Sequence, residues 1–282
     1  MGTVRDISED FLRKVLLFRA DDSHKRAYGH ALLICGCSRM PGAAVLATGG
    51  ALRSGCGLVT LHTVCNAGTA AVSRFPSAML SLEEDNCLSS IPSGLERFSC
   101  IGIGPGLGTS ERTKEALSSI LKEAGTTPTV LDADALNILA ANPEMISLIP
   151  AGSVLTPHNG ELKRLLPDWD EGDDGIIIDF CRRTGTVLVK KGYRTKVFAR
   201  NGDVHVNTTG NPGMAKGGSG DVLTGLITGL VARGYDTLTA AQLGVWLHGY
   251  AGDCLTRECT AEAYDSAGLI DLLKEGFKEL YG

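Results

Sequence analysis

The chain has 282 residues, 43% of them hydrophobic, enough for one large α/β domain with a sizeable core. A formal net charge of -5 without a basic stripe excludes a nucleic-acid binder of the usual kind, and an aromatic share of 5% excludes base-stacking platforms. Glycine, by contrast, is in excess: 36 residues, against an ordinary share of about 7%.

Residues 1–28 mix charged and apolar groups. Phe11, Leu12, Val15 and Leu16 predict a short helix after Ser8, and 21–26 reads as a charged, solvated turn. Residues 31–35 read as a buried strand, 43–54 as a helix of small residues and 58–62 as the next strand, which makes one βαβ unit. Residues 64–98 are ambiguous, with a short helix near 66–73, Pro76, an apolar stretch at 78–82 and acids at 83–85. They carry no functional reading.

Strand and helix then alternate. Strands are expected at 100–104, 129–131 and 153–156, and helices at 110–124, 132–140, after Pro157 and at 174–184. Strands follow at 186–190, 195–199 and 204–207, with Asn201-Gly202-Asp203 as a hairpin turn. Helices close the chain at about 219–232, 237–257 and 265–280. This order predicts a mostly parallel sheet with helices on both faces, in a single domain spanning 1–282. Ligands of such sheets sit at the carboxyl ends of the strands. The loops that should converge there are 36–43, 104–109, 132–134, 156–161, 190–195 and 211–221.

The nine cysteines include no C-x-x-C pair, so free thiols in a reducing cytoplasm are expected rather than a disulfide frame. No run reaches the length of a membrane span. The Met1-Gly2 start fails as a myristoylation site because Asp6 stands where Ser or Thr is needed.

The strongest chemical signal lies at 211–230. Gly213, Gly217, Gly218 and Gly220 lead into a helix whose apolar face is Val222, Leu223, Leu226, Ile227 and Leu230. Glycines at a helix start let backbone N–H groups converge where the helix dipole is positive, which makes an anion site. Asp221 sits in that first turn. It reads either as a helix-start acid or as a base taking the proton of a hydroxyl that attacks bound phosphate.

Other loops carry weaker signals. Gly102 to Thr109 is Gly-rich but lacks the third glycine of the dinucleotide fingerprint, since Leu107 stands there. In the 156–161 loop, His158 could donate to a ligand and Glu161 could hold water around magnesium; ordinary helix capping explains both as well. Lys190 and Lys191 could meet phosphate or simply charge a hairpin. Asp132 and Asp134 read as an N-cap and a first-turn acid rather than as catalysts. The histidines show no metal spacing: His62 and Cys65 form an H-x-x-C pair without partners, and His248 reads as a packing or helix-surface histidine.

Seven motifs in order resemble the NAD(P)H-hydrate dehydratase family, ribokinase-like relatives of the carbohydrate kinases. They are G-A-A-V-L-A at 42–47, A-L-R-S-G-C-G-L-V-T at 51–60, G-I-G-P-G-L-G at 102–108, L-D-A-D-A-L-N at 131–137, T-P-H-N-G-E at 156–161, K-G-Y-R-T at 191–195 and N-P-G-M-A-K-G-G-S-G-D-V-L-T-G at 211–225. The resemblance implies a ribokinase-like fold and repair of NADH-hydrate and NADPH-hydrate. A nucleotide phosphorylates the C6 hydroxyl, and elimination of phosphate restores the reduced ring. It implies Asp221 as base, with the N–H groups around Gly218, Ser219 and Gly220 stabilising the transferring phosphoryl group. Ala43, Gly106, His158 and Asp221 would touch the hydrate. Lys191, Gly192, Tyr193, Arg194, Thr195 and Gly220 would hold the nucleotide, ADP in preference to ATP, with magnesium held through water by Glu161. It also implies a separate epimerase as pathway partner, because the N-terminal 28 residues cannot form one, and a cytoplasmic homotetramer.

Overall fold

Apolar runs short enough for strands, most of them followed by a helix start, fold here as ten strands of one sheet. The computed structural model describes residues 2–282. In chain order the elements are β1 (Val4–Asp6), α1 (Glu9–Val15), β2 (His30–Ile34), α2 (Pro41–Leu52), β3 (Leu58–Val64), α3 (Cys65–Arg74), β4 (Met79–Glu83) and β5 (Cys100–Ile103). They continue with α4 (Glu111–Glu123), β6 (Thr129–Leu131), α5 (Ala133–Ala141), β7 (Val154–Leu155), α6 (Asn159–Leu165), α7 (Asp174–Thr184) and β8 (Val187–Lys190). The last are β9 (Lys196–Phe198), β10 (Val204–Val206), α8 (Ser219–Arg233), α9 (Thr237–Glu258) and α10 (Ser266–Tyr281).

The sheet order is β1-β10-β9-β8-β7-β6-β5-β2-β3-β4. All pairs are parallel except β8 with β9 and β9 with β10, so the expected hairpin is present. The ambiguous segment resolves into α3 and the edge strand β4, paired with β3. Besides β4, one further strand was not read in the sequence: β1, a three-residue edge strand exposed along its length. The chain leaves β2 toward β3 and β4, then returns with β5 on the other side of β2. That reversal opens a crevice at the carboxyl ends of β2 and β5.

Strand alternation builds two cores. Ala31 and Leu33 of β2 pack with α2, α8 and α9, while Leu32 and Ile34 pack with α4, α5 and α7 on the other face. All nine cysteines are free, and Cys35, Cys37, Cys100 and Cys181 are buried.

Glycines set how closely α2 and α8 pack. A Cβ on Gly225 would lie 1.8 Å from the Ala47 carbonyl oxygen, and one on Gly50 would lie 2.2 Å from that of Val222. Neither backbone oxygen can turn aside as a side chain would. Gly225→Ala is therefore expected to cost about 3 kcal/mol through overpacking. Thermal unfolding followed by circular dichroism would check this; an unchanged midpoint would mean that the helices separate without penalty.

Candidate active site

The crevice gathers all six loops. The Gly36 N–H donates to the Pro105 carbonyl (2.8 Å), which ties the loop after β2 to the loop after β5. A Cβ built on Gly106 would lie 2.8 Å from that of Ala43, so these two residues face each other. The Gly108 N–H donates to Asp134 Oδ2 (2.8 Å). The Lys191 N–H donates to the Pro157 carbonyl (2.8 Å), beside an isolated bridge from His158 to Lys191.

The 211–221 loop ends at the start of α8. Gly218, at φ +90°, is its N-cap and supplies no side-chain cap. That backbone angle disfavours any side chain there, and a Cβ would also lie 2.4 Å from Leu46 Cδ1, which would have to move. The N–H groups of Gly217, Gly218, Gly220 and Asp221 donate to no acceptor among the described residues, whereas that of Ser219 reaches the Lys216 carbonyl at 3.4 Å. Unpaired amides at the positive end of a fifteen-residue helix form an anion cradle.

Asp221 lies at this cradle. Its carboxylate accepts no hydrogen bond from the described residues. Burial first, then the charge of Asp132, pushes its pKa up from the ordinary 3.8 to about 7; Lys191 opposes the rise, while Asp134 and Glu161 add to it. A carboxylate of that pKa can accept a proton near neutrality and release it again.

Asp132 corrects the sequence reading. It occupies the N-cap position of α5 but makes no capping bond. Instead its Oδ1 lies 2.6 Å from Lys191 Nζ, and its Oδ2 accepts from Thr224 Oγ1 at 2.7 Å. Asp132 is 1% exposed, and Lys191 Nζ also lies 3.7 Å from Glu161. Lys191 thus sits among acids. Burial depresses its pKa, but Asp132 and Glu161 more than offset this and hold it above the usual lysine value. Asp134 keeps its expected first-turn place and also braces the 104–109 loop.

His158 and Glu161 do form the capping box at α6. His158 Nδ1 accepts from the N–H groups of Gly160 (2.9 Å) and Glu161 (3.3 Å), and Glu161 Oε2 accepts the His158 N–H (2.9 Å). The cap also fixes the tautomer. With Nδ1 accepting, the proton belongs on Nε2, which makes this 54%-exposed imidazole a donor at that atom, 3.5 Å from Glu161 Oε1. Tyr193 is 92% exposed on the 190–195 loop, and Arg194, at φ 53°, pairs with Asp6 (2.9 Å).

Of the two readings of His248, the structure favours the buried one, and the residue does more than pack. Its Nε2 lies 2.9 Å from the Ser219 carbonyl and 3.3 Å from the Ser219 hydroxyl, so it anchors the first turn of α8. Burial lowers its pKa to about 4, which keeps it neutral and donating to that carbonyl. The sequence signal for Thr224 was its place one turn after Asp221; for Asp132 it was a strand end in the middle of the sheet. No group of three or more His, Cys, Asp or Glu side chains converges as a metal cage among the described residues. No helix among them is long and apolar enough to cross a membrane.

A family model described as NAD(P)H-hydrate dehydratase matches residues 31–275. The ADP-dependent (S)-NAD(P)H-hydrate dehydratase of Neisseria meningitidis is 36% identical over 89% of this chain and 86% of its own length. A bifunctional NAD(P)H-hydrate repair enzyme of Moorella thermoacetica is 36% identical over 95% of this chain, which spans only about half, 53%, of that protein. The crystal structure of the ADP/ATP-dependent NAD(P)H-hydrate dehydratase of Bacillus subtilis, co-crystallised with ATP and Mg2+, superposes with a TM-score of 0.85 at 31% identity. That match covers 98% of this chain and 99% of that one. Such matches bear out the expected ribokinase-like fold. With its crevice, its amide cradle and its matched length, this chain belongs to the NAD(P)H-hydrate dehydratase family.

Proposed function

We propose that this chain dehydrates (S)-NADH-hydrate and (S)-NADPH-hydrate, with ADP as phosphoryl donor. The observation that carries the reading is Asp221: a carboxylate with a pKa of about 7 and no hydrogen-bond partner, beside four unpaired amides. A plain binding protein gains nothing from a negative charge beside phosphate. A general base does.

Asp221 takes the proton of the C6 hydroxyl as that oxygen attacks the terminal phosphorus of ADP, and AMP leaves. The amides of Gly218 and Gly220 stabilise the charge on the transferring group. Hydroxide is a poor leaving group and phosphate a good one. The ring nitrogen lone pair then expels phosphate from C6, and loss of a C5 proton restores the dihydronicotinamide. Ala43 and Gly106 wall the ring, His158 Nε2–H donates to it, and Lys191–Thr195 with Gly220 face the nucleotide. The residues present fit a magnesium ion carried by the nucleotide phosphates, with Glu161 holding one of its waters, rather than an ion caged by protein; its chemistry would be charge neutralisation. Support for ADP comes from relatives named as ADP-dependent. A separate epimerase is the proposed pathway partner, since other relatives are named as bifunctional repair enzymes.

The test is to mix the protein, magnesium and NADH-hydrate with ADP or with ATP and follow the near-ultraviolet absorbance of reduced nicotinamide. A rise, faster with ADP, is expected. No rise with either nucleotide would overturn the reading in favour of a small-alcohol kinase of the same fold, such as a hydroxyethylthiazole or pyridoxal type. Its mark would be a stable phosphorylated alcohol.

A further inference from the structure

Glu83 ends β4, and the proposed chemistry does not use it. It is nevertheless a buried acid with five donors around it. His62 Nε2 lies 2.9 Å from its Oε1, and both side chains are 3% exposed. The N–H groups of Ser89 and Ser90 donate to Oε1 at 3.1 Å each. The hydroxyls of Ser89 and Ser90 lie 3.1 and 3.0 Å from Oε2, and that of Ser89 is shared with Asp85 Oδ2 at 2.9 Å. Burial pushes the Glu83 carboxyl up, but the Ser89 amide, His62 and the Ser90 amide together hold it below its ordinary value. Burial holds His62 low, so its neutral ring donates from Nε2 and accepts the Ser81 hydroxyl at Nδ1 (3.0 Å).

What this acid closes is the 85–90 loop, and that loop touches both walls of the crevice. On one side the Asn86 carbonyl accepts the Ser38 N–H (3.0 Å), while Asn66 Nδ2 donates to the Ser38 carbonyl (2.9 Å). Ser38 is thereby held from both directions, next to Met40 and Ala43. On the other side Asp85 accepts from Arg112 Nη2 (2.6 Å), and the Leu88 carbonyl lies 3.4 Å from Thr113 Oγ1. Both residues belong to α4, whose leading loop carries Gly106.

We propose that Glu83 is a positioning residue: it folds 85–90 into a strap that holds the 36–43 loop and the 104–110 loop at a fixed separation, and so sets affinity for the hydrate. The last step rests on reading Ala43 and Gly106 as hydrate contacts.

The test uses the full chain and Glu83→Gln, which keeps the shape but removes the negative charge and one of the two acceptor oxygens on which the Ser89 and Ser90 amides and His62 converge. Arg39 is exposed on the 36–43 loop and Arg200 on the distant β9–β10 turn, so trypsin reports on both. Cleavage after Arg39 is expected to quicken about tenfold while cleavage after Arg200 stays unchanged, because local opening of the loop governs the first alone. KM for the hydrate should rise about tenfold, with kcat and the nucleotide KM within about twofold of the parent. If Glu83→Gln does not fold, the double variant Ser89→Ala/Ser90→Ala, which keeps the Glu83–His62 pair, should move both readouts the same way by about threefold. Unchanged cleavage after Arg39 in a folded variant overturns the strap. So does a hydrate KM that rises only in step with the nucleotide KM. A parent chain with no hydrate turnover would overturn the proposed reaction instead, and the Arg39 to Arg200 cleavage ratio would still decide the strap.

Discussion

Asp221→Asn is expected to lose turnover by about 10²- to 10⁴-fold, because an amide cannot take the hydroxyl proton, and at the same time to become more stable. The second effect follows from the same pKa. Below about pH 4 Asp221 is protonated in folded and unfolded chains alike, and it contributes nothing. Between about 4 and 7 the folded chain still holds the proton that the unfolded chain has lost, so stability falls as pH rises. Above about 7 the full cost of the half-buried carboxylate is present, on the order of 4 kcal/mol for a shift of this size. Asn at this position removes that cost. Urea unfolding of both proteins across this range would show a gain that grows with pH and then levels off. Parent activity should fall on the acid side of about pH 7 as the base is protonated. A variant with near-parent turnover would end the role of Asp221 as base. One that is inactive but no more stable at alkaline pH would mean that the carboxylate is not strained.

Lys191→Met is expected to be destabilising by about 3–5 kcal/mol, since it strands Asp132, 1% exposed, and Glu161 without their cation. It should also move the acid limb of activity to higher pH, because Lys191 is the one group among its causes that pulls the Asp221 pKa down. Adding Asp132→Asn should restore much of the lost stability, and the double-mutant cycle measures the coupling. If Lys191→Met proved fully stable and raised only the nucleotide KM, Lys191 would be a plain phosphate contact and the buried pair would count for little.

Those two residues show where the sequence stopped being readable. Each of the ten helices was legible to within a few residues, because capping groups and apolar spacing act within a turn or two: Ser8 caps α1 and Ser110 caps α4 through bonds that span three residues. The strands of the sheet centre were legible for the same kind of reason, as apolar runs bounded by glycines. The edge strand β1 was not, because its side chains bury nothing. The amide cradle was legible because glycines and a helix start are local features.

The electrostatics of the site were not local. Lys191 meets Asp132 across 59 residues, and Thr224 meets it across 92. Read by itself, Asp132 looked like an N-cap; only the return of β5 beside β2, with β6 following, put its carboxylate under α8. Beyond its helix, the 64–98 segment was opaque for the same reason. Glu83 and His62 stand 21 residues apart, and they become one buried pair only because β4 pairs with β3 in the register that sets His62 beside Ser81. Sequence alone therefore determined the elements, their α/β order and an anion-binding helix start, since those follow from periodicity and backbone conformation over a few residues. Which acids face which base, and what pKa Asp221 acquires, were decided by tertiary structure, because burial and charge act through space between loops that the strand order brings together.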